Sequence, residues 1–544
     1  MKYILSVLTF SLFVIGCSQK QKQPVDLFIH HANIYTVDSN YQIAQAMVIS
    51  DERIVEVGTF SELKEKYQYK KEFNANDKTI LPGLYDAHAH FYGLGLQQRK
   101  VNLIGTTSWV DVLDKLVIFK EKYNPEFITG RGWDQNDWEN NEFPDNTLLS
   151  TLFPNTPVII RRVDGHALIA NKAAIDQAGI NIKTEYEGGE IVQVDGVLTG
   201  LFIDNPMELV EAIIPTPNTT DIENALKDAE KICLKHGLTS VVDAGLNKFV
   251  IDEIFRLNDQ MDINLYIMGS STDPELDDVL NAGFQKTDRL SLRSIKCYAD
   301  GALGSRGACL HEAYSDRENH FGAMLTPIET FKTIAHKIHK YGFQMNTHAI
   351  GDSANSVVLD TYLNTLENPK EARWRVEHAQ VLKQEDIAKF EQGILPSVQP
   401  THATSDMYWA KERLGEERIP LAYAYKTLLN ANGRIALGTD FPIEKVNPFH
   451  TFYSATARKD LQHYPAGGFQ IKDALSREEA LKGMTIWAAY SCFQEEERGS
   501  LEQGKYADFI VLDRDILTCE EDSIPTTKVE QTFIKGKVVY SNKK

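Results

Sequence analysis

TILPGLYDAHAH, residues 79–90, is the stretch that decides how this chain folds and what it can hold. Its apolar run turns at Pro82 and Gly83 and continues to His88 and His90. If the residues after Gly83 form a strand, both histidines point to one face, with their backbones roughly 6–7 Å apart. Two imidazoles so placed can converge on a metal ion, since imidazole is the commonest protein ligand of zinc and its neighbours. Taken alone, the pair also fits two histidines on a polar strand face.

Eight apolar, strand-like segments occupy the middle of the chain, and amphipathic, helix-like stretches such as 221–236 and 328–341 separate most of them. Strands that alternate with helices are typical of a parallel sheet, and eight such strands close a TIM barrel. The predicted strands are residues 83–90, 239–245, 264–270, 292–300, 343–348, 374–378, 394–400 and 434–440. We therefore predict an α/β fold with a (β/α)8 TIM-like barrel over residues 82–498.

The two ends of the chain, residues 25–81 and 499–544, both show the alternating pattern of β-strands. Each is too small for a core of its own, so we predict one composite β-sandwich built from both termini. In the N-terminal part, the adjacent His30 and His31 are expected to face opposite sides of their strand, which argues against a shared metal.

The interval of about 96–218 is too long for a simple connection between a barrel strand and its helix. It contains further strand candidates at 126–133 and 157–164. We predict an inserted α+β subdomain over the barrel mouth, because the loops at that end of a barrel carry insertions and function.

Six side chains with metal-binding or catalytic potential stand at the C-terminal ends of these strands, where the active sites of such barrels lie. One aspartate or histidine in such a place is more often structural. Four histidines and one aspartate at matching strand ends, together with a lysine, predict a metal site. The residues are His88, His90, Lys296, His348, His378 and Asp440.

Short motifs spread over the chain from about residue 25 resemble those of the amidohydrolase superfamily, and one of them narrows the similarity to the YtcJ-like branch, the amidohydrolase 3 family. That motif is DGALGSR at 300–306, which follows Ile295 and Lys296. The others are LPG at 81–83 before the His88 and His90 pair, THAIGD at 347–352, VEHAQ at 376–380, GTD at 438–440 and GSLEQGKYAD at 499–508.

The resemblance implies a centre of one or two divalent metal ions, with zinc as the expected metal. His88, His90, His348, His378 and Asp440 match ligand positions of the superfamily. Lys296 matches a lysine that is carbamylated in members with two ions and bridges them. The carbamate is needed because an unmodified ammonium has no lone pair. The alternative for Lys296 is an ion pair with Asp300 or another acid.

The chemistry implied by this centre is hydrolysis by a metal-activated hydroxide. Asp440, next to the attacking water, is expected to act as the general base that passes a proton to a leaving nitrogen. A nearby cation keeps such a carboxylate ionised until it takes the proton.

Several further residues are candidate substrate contacts, each with a structural alternative. His166 follows Asp164 and Gly165 in the insert, and it is either near the substrate or a surface histidine. Arg306 either grips a carboxylate of the substrate or braces a loop.

Three more candidates come from the insert and from strand ends. Trp133, with Asp134, either lines the mouth or belongs to the core of the insert. Asp300 lies in the same motif as Arg306, and His402 follows the seventh strand, where it can face the substrate.

The first residues have the pattern of a bacterial lipoprotein leader. Lys2 precedes an apolar run over 3–15, and VIGC at 14–17 resembles the lipobox, in which the cysteine becomes the lipidated N-terminus after cleavage. We expect residues 1–17 to be a signal peptide ending at Cys17, 18–24 to be a tether, and the protein to be exported and anchored in the cell envelope by lipid alone. The alternative is an ordinary signal peptide cut nearby.

Composition sets the remaining limits. The chain has 544 residues and a net charge of −19, and this acidity argues against nucleic acid as a partner, because nucleic acid selects basic surfaces.

The leading hypothesis is a hydrolase of an amide or N-substituted formamide C–N bond in a small molecule. An ester or lactone hydrolase and a non-catalytic metal- or solute-binding lipoprotein are the alternatives. The sequence leaves the physiological substrate and a homo-oligomeric state open.

Overall fold

The computed structural model describes residues 21–163, 165–186 and 189–542. The predicted signal peptide, Cys17 and the first part of the tether lie outside these residues. Within the described part of the chain, no helix combines the length and the apolar composition needed to cross a membrane.

The N-terminal strands pair side by side before the barrel begins: β1 (Gln23–Tyr35), β2 (Ile43–Ser50), β3 (Arg53–Gly58) and β4 (Tyr67–Pro82). The first barrel strand, β5 (Leu84–Ala89), follows directly. The strands of the insert come next: β6 (Val101–Asn102), β7 (Ile128–Trp133), β8 (Val158–Arg162), β9 (Ala167–Ala170), β10 (Gly189–Val194) and β11 (Val197–Asp204).

The remaining barrel strands and one short antiparallel neighbour, β14, follow the insert. They are β12 (Leu238–Leu246), β13 (Asn264–Ser270), β14 (Gln285–Lys286), β15 (Leu290–Tyr298), β16 (Gln344–Ala349), β17 (Arg375–His378), β18 (Leu395–Val398) and β19 (Ala436–Leu437). The chain closes with β20 (Phe509–Leu512), β21 (Val529–Ile534) and β22 (Lys537–Ser541).

Helices connect the strands of the barrel, of the insert and of the terminal sheet. In the first half of the chain they are α1 (Phe60–Lys66), α2 (Phe91–Gln98), α3 (Trp109–Tyr123), α4 (Thr147–Leu152), α5 (Lys172–Gln177), α6 (Met207–Glu211), α7 (Thr219–Lys235), α8 (Lys248–Arg256) and α9 (Leu276–Ala282). In the second half they are α10 (Ile328–Lys340), α11 (Asp352–Thr365), α12 (Pro369–Ala372), α13 (Gln384–Phe390), α14 (Pro400–Asp406), α15 (Ala410–Arg418), α16 (Tyr425–Asn432), α17 (Pro448–Ala457), α18 (Arg477–Gly483) and α19 (Ile486–Ser491).

The predicted barrel is confirmed, and each predicted strand has its counterpart in it. The parallel strands lie in the order β5, β12, β13, β15, β16, β17, β18 and β19. The last strand meets the first at the C-terminal edge, where Asp440 N donates to His88 O and His90 N donates to Phe441 O, both over 2.8 Å. The ligand candidates of the first and last strands therefore lie on the seam that closes the barrel.

The last barrel strand is shorter than predicted, and a side chain of the first strand binds the residues that follow it. Beyond Leu437, the Asp86 carboxylate accepts from Thr439 N (3.0 Å) and from Thr439 Oγ1 (2.7 Å). Gly438 must be a glycine here, since an added Cβ would lie 2.5 Å from His88 N. The close approach places Asp440 directly beside the first strand.

The lower interior of the barrel contains a cluster of apolar side chains. Tyr85, Tyr266 and Met268 are buried there together with Ala488 and Ala489 of α19, which closes this end. A larger core lies between the strands and the surrounding helices. The site residues consequently occupy the upper, C-terminal end, where the His90 side chain keeps 31% exposure.

Two additional sheets flank the barrel. Strands of both chain ends belong to one seven-stranded sheet, in the order β22, β21, β20, β4, β1, β2 and β3. The insert forms a six-stranded sheet in the order β10, β11, β9, β8, β7 and β6, with its own buried clusters. The fold is therefore a TIM-like barrel with additional sheets.

Candidate metal centre

Three buried side chains from separate strand ends meet at the top of the barrel. Nitrogen or oxygen atoms of His88, His378 and Asp440 all lie within 4.8 Å of one another. His90 joins them, with its Nε2 3.4 Å from Asp440 Oδ1. The His348 ring stacks edge-on against His378, with ring centroids 4.5 Å apart. All five predicted metal-ligand side chains thus converge on one region.

The polar atoms of this cluster fit a metal ion. His378 Nδ1, His348 Nε2 and Asp440 Oδ1 are buried and make no hydrogen bond within the described residues. Buried polar atoms without partners are costly and rare in folded proteins. Imidazole nitrogens and a carboxylate oxygen are ligands that suit zinc. The cluster therefore has the donor set of a metal site.

The backbone at two of these residues is strained. His378 has φ 71° and Asp440 has φ 62°, in the left-handed region that non-glycine residues seldom adopt. Such conformations cost about 1–3 kcal/mol each and concentrate at functional sites. In both cases the unusual φ occurs where the strand ends and the side chain joins the cluster.

The imidazoles are held in the neutral form that binds metals. Burial, reinforced by Lys296, lowers the pKa of His88 to about 4 and that of His348 to about 3. Burial, reinforced by His348 and His88, also lowers the pKa of His378 well below its ordinary value. Each ring thus has a lone pair available near neutral pH.

Asp440 is held in the ionised form. Burial alone would raise its pKa, but the neighbouring imidazoles of His402 and His90 bring it well below the ordinary value. His90 is itself oriented by a contact of 3.0 Å between its Nδ1 and Ala244 O. If Nδ1 donates in that contact, Nε2 faces Asp440.

Lys296 lies inside the cluster, next to His88. Its Nζ is 3.1 Å from His88 Nε2, and the residue is 1% exposed. Burial lowers the pKa of its amine to about 8. The alternative partner, Asp300, uses its carboxylate to accept from the backbone N–H groups of Ile350 (2.9 Å) and Gly351 (2.8 Å). The ion pair between Lys296 and Asp300 is therefore not formed.

Of the candidate substrate contacts, His402 reaches the cluster. Its Nε2 lies 3.2 Å from Asp440 Oδ2, and its Nδ1 lies 3.4 Å from Glu444 Oε1. Burial alone would lower its pKa, but the two carboxylates raise it to about 10. His402 is therefore a positively charged partner of Asp440.

Arg306 and Asp300 serve the loop that follows the fourth barrel strand. Arg306 donates to Asp316 through Nε (3.1 Å) and Nη2 (2.7 Å), so its guanidinium braces the loop. Asp300 also accepts from Cys309 N over 2.8 Å and thereby anchors the same loop to the His348 turn. These bonds tie the Arg306 guanidinium to the loop, whereas Asp300 Oδ1 lies 3.9 Å from His348 Nε2.

Trp133 and His166 belong to the insert. Trp133 is fully buried in the core of the insert, and its Nε1 donates to Ile160 O over 3.0 Å. This is the core role that the sequence left open as an alternative. The His166 side chain is 76% exposed, with Nδ1 2.9 Å from Asp204 Oδ1.

Charged residues that the sequence reasoning did not single out support the cluster from behind. Glu377 Oε2 lies 2.6 Å from His88 Nδ1, and Glu377 in turn pairs with Arg375. Asp243 accepts from Tyr92 N over 3.0 Å and so holds the turn after His90. The sequence feature that could have identified these residues is the presence of charged side chains inside otherwise apolar strands.

The profile of the Amidohydrolase family matches residues 71–540. Protein LONG AFTER FAR-RED 3 of Arabidopsis thaliana is 33% identical and covers 95% of this chain and 91% of its own length. Putative amidohydrolase YtcJ of Bacillus subtilis is 30% identical, with 94% and 98% covered. N-substituted formamide deformylase of Arthrobacter pascens is 26% identical, with 95% and 98% covered.

A solved structure shares this architecture. The uncharacterized metal-dependent hydrolase of Pyrococcus furiosus superposes with a TM-score of 0.76 at 26% sequence identity. The match covers 90% of this chain and 100% of that protein.

Proposed function

Because the chain belongs to the amidohydrolase family, we propose that it is an exported hydrolase that cleaves a C–N bond, of amide or N-substituted formamide type, in a small molecule. The metal dependence in this proposal is supported by the fold that the chain shares with the metal-dependent hydrolase of Pyrococcus furiosus. The choice of bond is supported by its similarity to the formamide deformylase. The observation that carries the proposal is the convergence of His88, His378 and Asp440, with unpaired buried atoms, at the open end of the barrel.

In this proposal the histidines and Asp440 hold one or two divalent ions, with zinc as the proposed metal. A divalent ion in this place supplies a water that is activated near neutral pH. Asp440 offers two oxygens with separate surroundings, because Oδ2 contacts His402 while Oδ1 has no hydrogen bond. The carboxylate takes a proton from the attacking water and delivers it to the leaving nitrogen.

Lys296 is proposed to carry a carbamate. A lysine must be neutral to react with carbon dioxide, and burial lowers the pKa of this amine to about 8, so a neutral fraction exists at physiological pH. The carbamate provides two anionic oxygens beside His88, where the free amine lies 3.1 Å from Nε2. Lys296→Met is expected to retain at most one ion per chain, and full occupancy of two ions in that variant would contradict this role.

The proposal that the protein is exported rests on the sequence of residues 1–17 alone. Cys17 is the proposed lipid attachment site, and membrane association through this anchor places the barrel outside the cytoplasm. The unaltered protein should incorporate labelled fatty acid in a bacterial cell, and Cys17→Ser should abolish this incorporation. Equal labelling of both proteins, or no labelling of the unaltered protein, would count against this placement.

The reaction is tested by turnover of the zinc-loaded protein on a panel of N-substituted formamides, other amides, esters and lactones. Asp440→Asn keeps the shape of the side chain but cannot take the proton, and we expect its kcat on the C–N substrates to fall by about 10²–10⁴-fold. Asp508→Asn is the matched control, since it alters another buried aspartate, which binds Lys535 N far from the cluster.

Each outcome of the panel has a meaning for the proposal. Turnover restricted to esters or lactones would replace the C–N assignment by that of an ester hydrolase. Equal activity of the Asp440→Asn variant and the unaltered protein would defeat the mechanism. Zinc binding with no turnover on any substrate would favour a non-catalytic binding protein.

A further inference from the structure

A buried pair of opposite charges lies behind His88. Glu377 and Arg375 lie on β17 and are both 0% exposed. Glu377 Oε1 lies 2.7 Å from Arg375 Nε, although the two atoms are not aligned as a hydrogen bond. Glu377 Oε2 lies 2.6 Å from His88 Nδ1. Glu377 therefore links the guanidinium to the imidazole.

Arg375 is fixed by neighbouring parts of the barrel. Its Nη2 donates to Ala87 O (2.5 Å) on β5 and to Ser397 Oγ (2.9 Å) on β18. Its Nη1 lies 3.4 Å from Ser491 Oγ on α19. These contacts leave the guanidinium little freedom, so the carboxylate that it attracts is also fixed relative to His88.

Fold stability alone is a weak reason for such a pair. Removing two charges from water costs several kcal/mol per ion, and apolar residues of similar volume often serve a core as well or better. Apolar side chains already occupy part of the lower barrel beside this pair. A histidine that binds a metal, in contrast, commonly donates its other ring N–H to a carboxylate, which fixes the tautomer and the ring orientation.

We propose that Glu377 and Arg375 are positioning residues that hold His88 with Nδ1–H toward the carboxylate and Nε2 toward the metal centre. The position of Nε2 fits this role, since it lies 3.8 Å from Asp440 Oδ1 and 3.1 Å from Lys296 Nζ. Arg375 holds the Glu377 carboxylate in place, and the carboxylate orients the imidazole before an ion binds. The inference rests on the proposed function only in that the centre holds a divalent ion.

The test measures zinc affinity of the full-length protein and needs no substrate. The protein is stripped of metal, and zinc is then titrated in competition with a chromophoric chelator. Glu377→Gln removes the charge that attracts both Arg375 and His88, and we expect zinc to bind about 10–100-fold more weakly. Asp508→Asn is again the control for the loss of a buried carboxylate, and its zinc affinity should equal that of the unaltered protein.

A second variant covers the case in which Glu377→Gln does not fold. Glu377→Asp keeps the charge but is shorter by one methylene, so the carboxylate cannot reach Arg375 and His88 together. It should also weaken zinc binding, and the melting transition of its metal-free form shows that the variant is folded. Unchanged zinc affinity in the folded Glu377 variants would overturn the positioning role.

The outcomes separate this inference from the proposed function. If the unaltered protein binds zinc but cleaves no C–N bond, the proposed reaction fails while the positioning role can still be measured. If the unaltered protein is an active C–N hydrolase and Glu377→Asp binds zinc equally well, this inference alone fails. Absence of zinc binding by the unaltered protein would overturn both.

Discussion

Burial decides what individual side chains can do in this protein, and Trp133 shows this clearly. The indole has no exposed surface, packs near Trp138 with ring centroids 6.0 Å apart, and donates Nε1–H to Ile160 O. A side chain so enclosed stabilises the insert and has no surface to offer a substrate.

Replacing this indole tests the assignment. Trp133→Phe deletes the hydrogen bond to Ile160 and part of the packed volume, so the free energy of unfolding should fall by about 1–3 kcal/mol. KM should remain unchanged, because the residue does not touch the substrate. Chemical denaturation and steady-state kinetics check both statements. A raised KM without loss of stability would show that Trp133 contacts the substrate.

At the residue scale, the sequence could indicate which residue types matter but not which partners they have. Glu377 stands next to His378 in the VEHAQ motif, yet its partner His88 is 289 positions away. Arg306 had the right chemistry for a substrate carboxylate, and Asp316, ten positions further on, occupies it. Partner choice depends on how the loops fold back, and local pattern does not contain this information.

At the scale of elements, alternation and apolar runs were sufficient to find the barrel strands. Alternation failed at His30 and His31, because a register shift between His30 and Ala32 interrupts β1 there. His31 adopts φ 49°, and the two rings come together with centroids 4.8 Å apart instead of facing opposite sides. A bulge of this kind adds a residue without any mark in the hydrophobic pattern.

A buried lysine connects the terminal sheet to the barrel. Lys535, whose side chain is 4% exposed, pairs with Asp288 and, over 3.2 Å, with Glu52. The hydrogen bond from Lys535 lowers the pKa of Asp288. Burial alone would raise the pKa of Glu52, but hydrogen bonds from Lys537 and Lys535 bring it below the ordinary value.

This connection predicts a dependence of stability on pH. A carboxyl whose pKa is lower in the folded state stabilises the fold above its unfolded pKa, about 4, and loses that contribution as the pH falls through the folded pKa. The difference in free energy of unfolding between the unaltered protein and Lys535→Met should therefore shrink as the pH is lowered from about 6 toward 3.

The control for this prediction is an exposed pair. Lys172, whose side chain is 73% exposed, pairs with Asp176 over 2.8 Å. Lys172→Met should change stability little at any pH, because exposed ion pairs contribute little. Denaturation curves at several pH values measure both variants. A pH-independent effect of Lys535→Met would show that its contribution comes from packing and not from charge.

At the scale of the whole molecule, the metal centre ties distant parts of the chain together. His88 ends the first barrel strand, His378 ends the sixth, and Asp440 follows the last, so an ion bound to all three joins elements on both sides of the closing seam. A ligand that binds the folded state and not the unfolded chain stabilises the fold by mass action.

Metal removal should therefore lower the melting temperature. At a free zinc concentration of 100 times Kd the stabilisation is about 2.7 kcal/mol, and chelation should abolish it reversibly. His378→Asn is the matched control, since asparagine tolerates the positive φ of this position while it removes an imidazole. Its melting temperature should respond much less to zinc. Identical melting temperatures of the unaltered protein with and without zinc would contradict a shared centre.

The most direct test of the central claim is anomalous diffraction at the zinc edge from crystals of the zinc-loaded protein. We predict an anomalous peak at the C-terminal end of the barrel, within bonding distance of His88, His378 and Asp440. A peak elsewhere, or no peak at these side chains in fully loaded crystals, would contradict the claim.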